Sequence, residues 1–238
     1  VIIVGGGTSG LISALMLKHT YPDINVKIIK STKVGIVGVG ESSTEHWSDF
    51  CDYLGISKLD FIKKANATFK LGVHFKNWSQ NDFLHTIDPR YSQMMGDYFL
   101  IYGHLISYTD KKLQSPFYWT QGLELDNLCT RQFHFDTFEL NNYLTNICKN
   151  RNIKVIVDDL THIKYKENNI SSVCSDKKEY KADFFLDCSG FKRFLTKDRK
   201  WKSYSNLPVN SAITFSTDEM DEYHEYTTST AHEYGWSW

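Results

Sequence analysis

Lys70 is the residue whose setting most needs a chemical explanation. It stands in ATFKLGVHFKNW, residues 67–78, where Phe69, Leu71, Val73 and Phe75 alternate with Lys70, Gly72, His74 and Lys76. Period-two alternation marks a β-strand with two unlike faces. The apolar set is expected in the core, which leaves Lys70 on the other face beside a glycine. On a wet face such a lysine is ordinary surface. In a closed site it is a short-range cation and donor aimed at a reacting atom. A second group stands in VIIVGGGTSG, where Gly5, Gly7 and Gly10 have Gly-x-Gly-x-x-Gly spacing. In that pattern the first glycine permits a tight turn and the second lets backbone approach a pyrophosphate. The third lets a helix sit close on its strand. The helix start at Thr8 and Ser9 offers free N–H groups and a positive dipole end to phosphate.

The surrounding elements support the second group. Val1 to Val4 is a short apolar run suited to a buried parallel strand. Leu11, Ile12, Leu15 and Met16 predict a helix to about His19, and Val26 to Ile29 a second strand. A βαβ unit with the glycines at its first turn is the dinucleotide-binding context. Its fingerprint puts an acidic residue at the end of the second strand, to accept from ribose hydroxyls. Lys30 stands there and can only donate. It is open to reading as a 2′-phosphate contact, and hence NADP, or as a solvent-facing side chain.

GIVGVGESS follows, and its glycines at 35, 38 and 40 suggest backbone lying close to a ligand. Gly38, Val39, Gly40 and Glu41 are therefore candidate cofactor contacts; the plain alternative is a connecting loop. Trp47, Phe50, Cys51 and Leu54 then give a helical face with Gly55 as C-cap. Residues 79–130 are rich in aromatics, suited to core packing or to a pocket for a flat substrate. Asp136 is expected to cap a helix buried through Leu140, Leu144, Ile147 and Cys148. A strand at 153–157 and a hairpin around Asn168 and Asn169 precede a buried strand at 184–186. That strand ends at Asp187 before a Ser189-Gly190 turn. A Rossmann unit, an antiparallel excursion and a return strand with its own polar-glycine turn is the layout of two-part FAD domains; in that layout Asp187 and Gly190 would lie over the flavin side of the cofactor, unless Asp187 only caps the turn.

Bulk composition excludes several classes. With a net charge of −1 and no basic run interleaved with aromatics, nucleic acid is not an expected partner. No apolar run nears the ~20 residues that span a bilayer. The five cysteines are odd in number, scattered and free of Cys-x-x-Cys pairs, a reduced, cytoplasmic pattern with no zinc site implied. Each is expected as a small buried hydrophobe. The first residue is Val1 and the last is Trp238, in mid-pattern, so part of a longer protein is expected.

Taken in order, VIIVGGGTSG, GIVGVGESS, TFKLGVHFKNW, FHFDTFEL, FFLDCSGF and GWSW resemble the flavin-dependent halogenases of the tryptophan-halogenase type. The resemblance implies an α/β fold: a Rossmann-like FAD-binding domain of the two-part flavoprotein type, with an antiparallel excursion and part of an inserted substrate domain. The expected parts are an FAD-binding segment at 1–78, an aromatic insert at 79–130, a second FAD-binding segment at 131–200 and a substrate region beginning at 201–238. It further implies FAD reduced by a separate flavin reductase, a halide co-substrate and a small electron-rich aromatic substrate such as an indole, pyrrole or phenol. Dioxygen and halide at the reduced flavin give hypohalous acid, which Lys70 holds and activates beside the ring. Trp236 and Trp238 would line the wall between flavin and substrate, unless they are plain core. A homodimer is one assembly this allows. The rival readings are a flavin monooxygenase or reductase on the same fold, and a dinucleotide-binding module without catalysis.

Overall fold

A computed structural model of the chain describes residues 1–36, 41–70, 72–86, 132–204, 206, 209–215 and 226–238. The fold divides into two compact units, each built from three stretches of chain. The first comprises Val1–Gly38, Leu54–Asn66 and Asp136–Ser203, and the second Val39–Tyr53, Ala67–Phe135 and Tyr204–Trp238. This division cuts across the expected boundaries, because residues 39–53 and 67–78 belong with the second unit.

In the first unit, β1 (Ile2–Val4) leads through the glycine turn into α1 (Thr8–Thr20) and then β2 (Lys27–Lys30). Three further residue runs take part in the second unit: β3 (Glu41–Ser42), α2 (His46–Leu54) and, later, β4 (Thr68–Lys70). Between them α3 (Lys58–Lys64) returns to the first unit, capped by the Ser57 hydroxyl, which accepts from the Asp60 N–H at 3.2 Å.

The second unit continues with β5 (Gly72–Lys76), β6 (Phe83–Thr86) and β7 (Gln132–Phe135). The chain re-enters the first unit at α4 (Thr137–Asn150). Asp136 caps α4 as expected, its Oδ1 accepting from the N–H groups of Phe138 at 2.7 Å and Glu139 at 3.0 Å. Leu140, Leu144 and Cys148 are buried along it. After α4 come β8 (Lys154–Val157), β9 (Leu160–Lys166), β10 (Asn169–Ser175), β11 (Glu179–Lys181) and β12 (Phe185–Asp187).

The first unit's main sheet runs in the order β12-β1-β2-β8, with every pairing parallel. Strands β9, β10 and β11 form the antiparallel excursion. Its hairpin turns at Glu167 and Asn168, both at positive φ, one residue earlier than the sequence suggests. Ile2, Val4, Ile29, Leu160, Val173, Tyr180 and Phe194 bury one core from both sheets. An α/β fold with a parallel sheet and an antiparallel excursion is therefore what the chain adopts.

The second unit holds two sheets, β3-β7-β4 and β14-β13-β5-β6, with β13 (Tyr226–His232) and β14 (Gly235–Ser237) at its end. β13 lies parallel to β5, a pairing no local pattern announces. Among the described residues, no helix is long and apolar enough to cross a membrane, and no group of side chains gathers as a metal site. Cys51, Cys148 and Cys174 are buried thiols and Cys188 is half-buried; burial pushes the Cys148 thiol up to about 12.

Candidate functional site

The glycine turn is built as its spacing requires. Gly5 has φ +118°, and a Cβ there would stand 2.1 Å from the Cys188 carbonyl oxygen at the end of the neighbouring strand. A Cβ on Gly10 would stand 2.1 Å from the Gly5 carbonyl oxygen, so only glycine lets α1 sit this close to β1. Gly7 is the opposite case, since a Cβ there would meet nothing within 4 Å. Gly7 is also the N-cap of α1 and gives it no side-chain cap. The first N–H groups of the helix, at Thr8, Ser9 and Gly10, have no intrahelical acceptor by construction. Open space stands before bare donors at a positive helix end, which suits a pyrophosphate.

A cavity continues from this turn. Gly5, Gly6 and Gly7 line it with Ile29 and Lys30 of β2, Ser31, Asp158 and Leu160, and Ser189, Lys192 and Phe194 close it. The residues present therefore fit a dinucleotide. Gly38, Val39 and Gly40 lie outside the described residues. Glu41 is in β3, opposite Phe135, among residues of the second unit, and burial raises its carboxyl above the ordinary value.

In its observed pose Lys30 lines the cavity and is also held from within the fold. Its stem lies under Gly6, where a Cβ would be within 2.7–2.9 Å of Lys30 Cβ, Cγ and Cδ. Its ammonium donates to Asn141 Oδ1 at 3.1 Å, and Asn141 Nδ2 donates to the Gly6 carbonyl at 2.8 Å. Lys30 and Asn141 together clamp the glycine loop. Asn141, 1% exposed, has one signal in the sequence: a polar residue in the stripe Thr137, Asn141, Leu144 and Cys148.

Asp187 ends β12 beside Val4, as its position predicts, but its carboxylate is used locally. Oδ1 accepts from the Ser189 N–H at 3.1 Å and hydroxyl at 2.6 Å, and Oδ2 from the Leu195 N–H at 2.8 Å and the Thr196 hydroxyl at 3.1 Å. Burial pushes this carboxyl up, and the hydrogen bonds outweigh it and hold it below the ordinary value. The capping alternative describes its side chain. Gly190, at φ +61°, shapes the same turn, while Ser189 lines the cavity.

In the second unit the alternation around Lys70 is real, but the buried face is the other one. Lys70, Gly72 and His74 are buried, while Phe69, Val73 and Phe75 are half-buried. Two strands in different sheets replace the single expected strand: β4 ends at Lys70 and β5 begins at Gly72. Leu71 lies outside the described residues. The rings find partners across strands instead of a deep core: Phe69 with Phe133 at 5.5 Å and Phe75 with Phe83 at 4.9 Å between centroids.

Lys70 is only 8% exposed, and Nζ donates to the Ser42 hydroxyl of β3 at 2.9 Å. Burial lowers its pKa from the ordinary value. His134 of β7 faces the same sheet, with Nε2 2.9 Å from the Thr227 hydroxyl. Burial first, and the Lys70 charge second, push its pKa down from 6.5 to about 4. A neutral imidazole thus accompanies a buried ammonium. The linkage has a definite sign. Between about 4 and 6.5 the unfolded chain binds the proton and the folded chain does not. Stability should therefore fall as pH drops through that window. Denaturant midpoints measured from pH 7 to 4 should fall less steeply in His134→Gln than in the parent.

Trp236 and Trp238 stand 39% and 72% exposed and stack at 6.4 Å between centroids. Trp78 packs on Trp236 at 5.9 Å, and its indole N–H donates to the Ser229 carbonyl at 3.1 Å.

The parallel sheet, the bare helix N-terminus behind three glycines and the return strand that closes their turn define a Rossmann-like dinucleotide-binding protein. The profile of the tryptophan halogenase family matches residues 1–238. The chain belongs to that family. The 7-chloro-L-tryptophan 6-halogenase KtzR of Kutzneria sp. (strain 744) is 27% identical over all of this chain and 54% of its own length. The tryptophan 6-halogenase SttH of Streptomyces toxytricini is likewise 27% identical, over all of this chain and 54% of itself. The chain thus spans about half the length of the curated relatives it matches. The crystal structure of SttH shares the fold, with a TM-score of 0.73 at 23% identity, over 99% of this chain and 54% of that one. So does that of MibH, a tryptophan 5-halogenase, with a TM-score of 0.74 at 22% identity, over 99% and 48%.

Proposed function

We propose that this chain carries the cofactor pocket and the activating lysine of a flavin-dependent halogenase acting on tryptophan or a related electron-rich ring. The observation that carries the reading is Lys70, a buried ammonium held by Ser42 at 2.9 Å on a short strand, in a protein of the tryptophan halogenase family. Burying an ammonium is costly, and a lysine kept 8% exposed on a short strand, donating to a neutral hydroxyl, suits work on an electron-rich or anionic species.

FAD, when bound and reduced by a separate reductase, supplies the two electrons that, with dioxygen, turn halide into hypohalous acid and water. The chain's own residues have four tasks. Gly7 and the N–H groups of Thr8 to Gly10 receive the pyrophosphate. Asn141 and Lys30 fix the loop that carries those groups. Lys70 donates to the hypohalous oxygen and draws electron density from the halogen, which the ring then attacks. His134, neutral at pH 7, leaves the ammonium as the local positive charge.

The test is turnover of the protein with FAD, NADH, a flavin reductase and bromide, over a panel of indoles, pyrroles and phenols. A product that has exchanged hydrogen for bromine is expected. A hydroxylated product would establish the monooxygenase reading instead, and flavin uptake without any product the binding-module reading.

A further inference from the structure

We propose that Asp158 is the acceptor for the adenosine ribose of the bound dinucleotide, in the place of the acidic residue that position 30 lacks. The proposal rests on the nucleotide reading above. Five described polar side chains line the cavity: Lys30, Ser31, Asp158, Ser189 and Lys192. Only one is a carboxylate. The Ser31 hydroxyl donates to Asp159 and accepts from the N–H groups of Lys33 at 3.0 Å and Val34 at 3.2 Å. The Ser189 hydroxyl donates to Asp187 and accepts from the Phe194 N–H at 2.7 Å. Lys30 and Lys192 carry no acceptor.

Asp158 is also in the right place. It follows β8 directly, and its N–H donates to the Lys30 carbonyl at 3.1 Å. The carboxylate therefore stands at the carboxyl end of the sheet, one strand over from the fingerprint position, where open α/β sheets bind ligands. Oδ2 accepts from the Ser175 hydroxyl at 2.7 Å and the Tyr180 hydroxyl at 2.6 Å, and Oδ1 from the Asp159 N–H at 2.9 Å. A carboxylate has about four acceptor positions, so one remains on Oδ1. The three bonds hold the group rigid and ionised, as a preorganised acceptor must be. A division of labour follows: Lys30 with Asn141 shapes the loop, and Asp158 reads the sugar. A carboxylate here also repels a 2′-phosphate.

The experiment measures dissociation constants by flavin fluorescence for FAD and for its adenosine 2′-deoxy analogue. The protein and Asp158→Asn are compared, with Tm as a fold control. The parent should bind FAD about 10- to 100-fold tighter than the deoxy analogue, the range of a hydrogen bond to a charged group. In Asp158→Asn, whose amide oxygen is only a neutral acceptor, that ratio should fall about tenfold while FMN affinity stays unchanged. Should the variant fail to fold, Asp158→Glu serves, with the ratio reduced but not abolished. Equal affinities in the parent, or a ratio kept by either variant, would overturn the assignment and leave the flavin reading standing. No uptake of FAD by the parent would overturn both.

Discussion

Replacing Lys70 by alanine should lower product formation at least about 100-fold, the usual cost of losing a preorganised donor. FAD uptake and flavin-dependent oxygen consumption should persist, with oxidant leaking to solution. Lys70 is buried and donates to Ser42, so a merely structural lysine is the alternative to beat. Lys70→Met separates the two. It keeps the apolar stem and removes the charge, and should be as stable as the parent within about 1.5 kcal/mol, as volume-conserving core changes are. A structural lysine predicts near-normal turnover from that variant; an activating lysine predicts the same collapse as in alanine. Mass spectrometry of the product and an oxygen electrode read both quantities. Near-normal bromination by Lys70→Met would remove this residue from the chemistry.

The next largest effect belongs to the glycine turn, where two similar substitutions should act through different quantities. Gly10→Ala puts a Cβ 2.1 Å from a backbone oxygen, which cannot rotate away. It should cost about 3 kcal/mol of stability and take cofactor binding with it. Gly7→Ala meets nothing within 4 Å and should change stability by less than about 1 kcal/mol. It should nevertheless weaken FAD at least about tenfold, because its methyl group enters the space kept for the pyrophosphate. Urea denaturation together with flavin titration on both variants checks the contrast. Equal FAD affinity in Gly7→Ala and the parent would move the pyrophosphate away from this turn.

Much of this was legible because its causes are local. Gly5 and Gly10 are read from spacing, since a tight turn and a close helix leave no other residue room. Asp136 is read from its type and place, and its side chain caps α4 accordingly. Other features escape for equally physical reasons. Alternation along 69–76 gives a period but no sign, and the half-buried faces of Phe69 and Phe75 are set by rings on other strands. The place of Asp187 at a strand end is read from the sequence, but its bonds to the N–H groups of Ser189 and Leu195 depend on how the following turn closes. Asn141 and Asp158 lie more than 100 positions from Gly6 and Lys30, respectively, and no pattern in the chain links them.

The pairing of β1 with β12 has a consequence for synthesis. Ile2 pairs with Phe185, and Gly5 packs on Cys188, so the first strand's partner lies 183 positions later. At translation rates of about 5–20 residues per second, the N-terminal strand waits roughly 10–40 s for it. During that interval an apolar strand and a glycine turn are without their neighbour, and the cofactor cannot fasten a sheet that has only one side. Growth temperature, codon choice between the two strands and chaperone supply should therefore govern the yield of flavin-loaded protein more than flavin supply does.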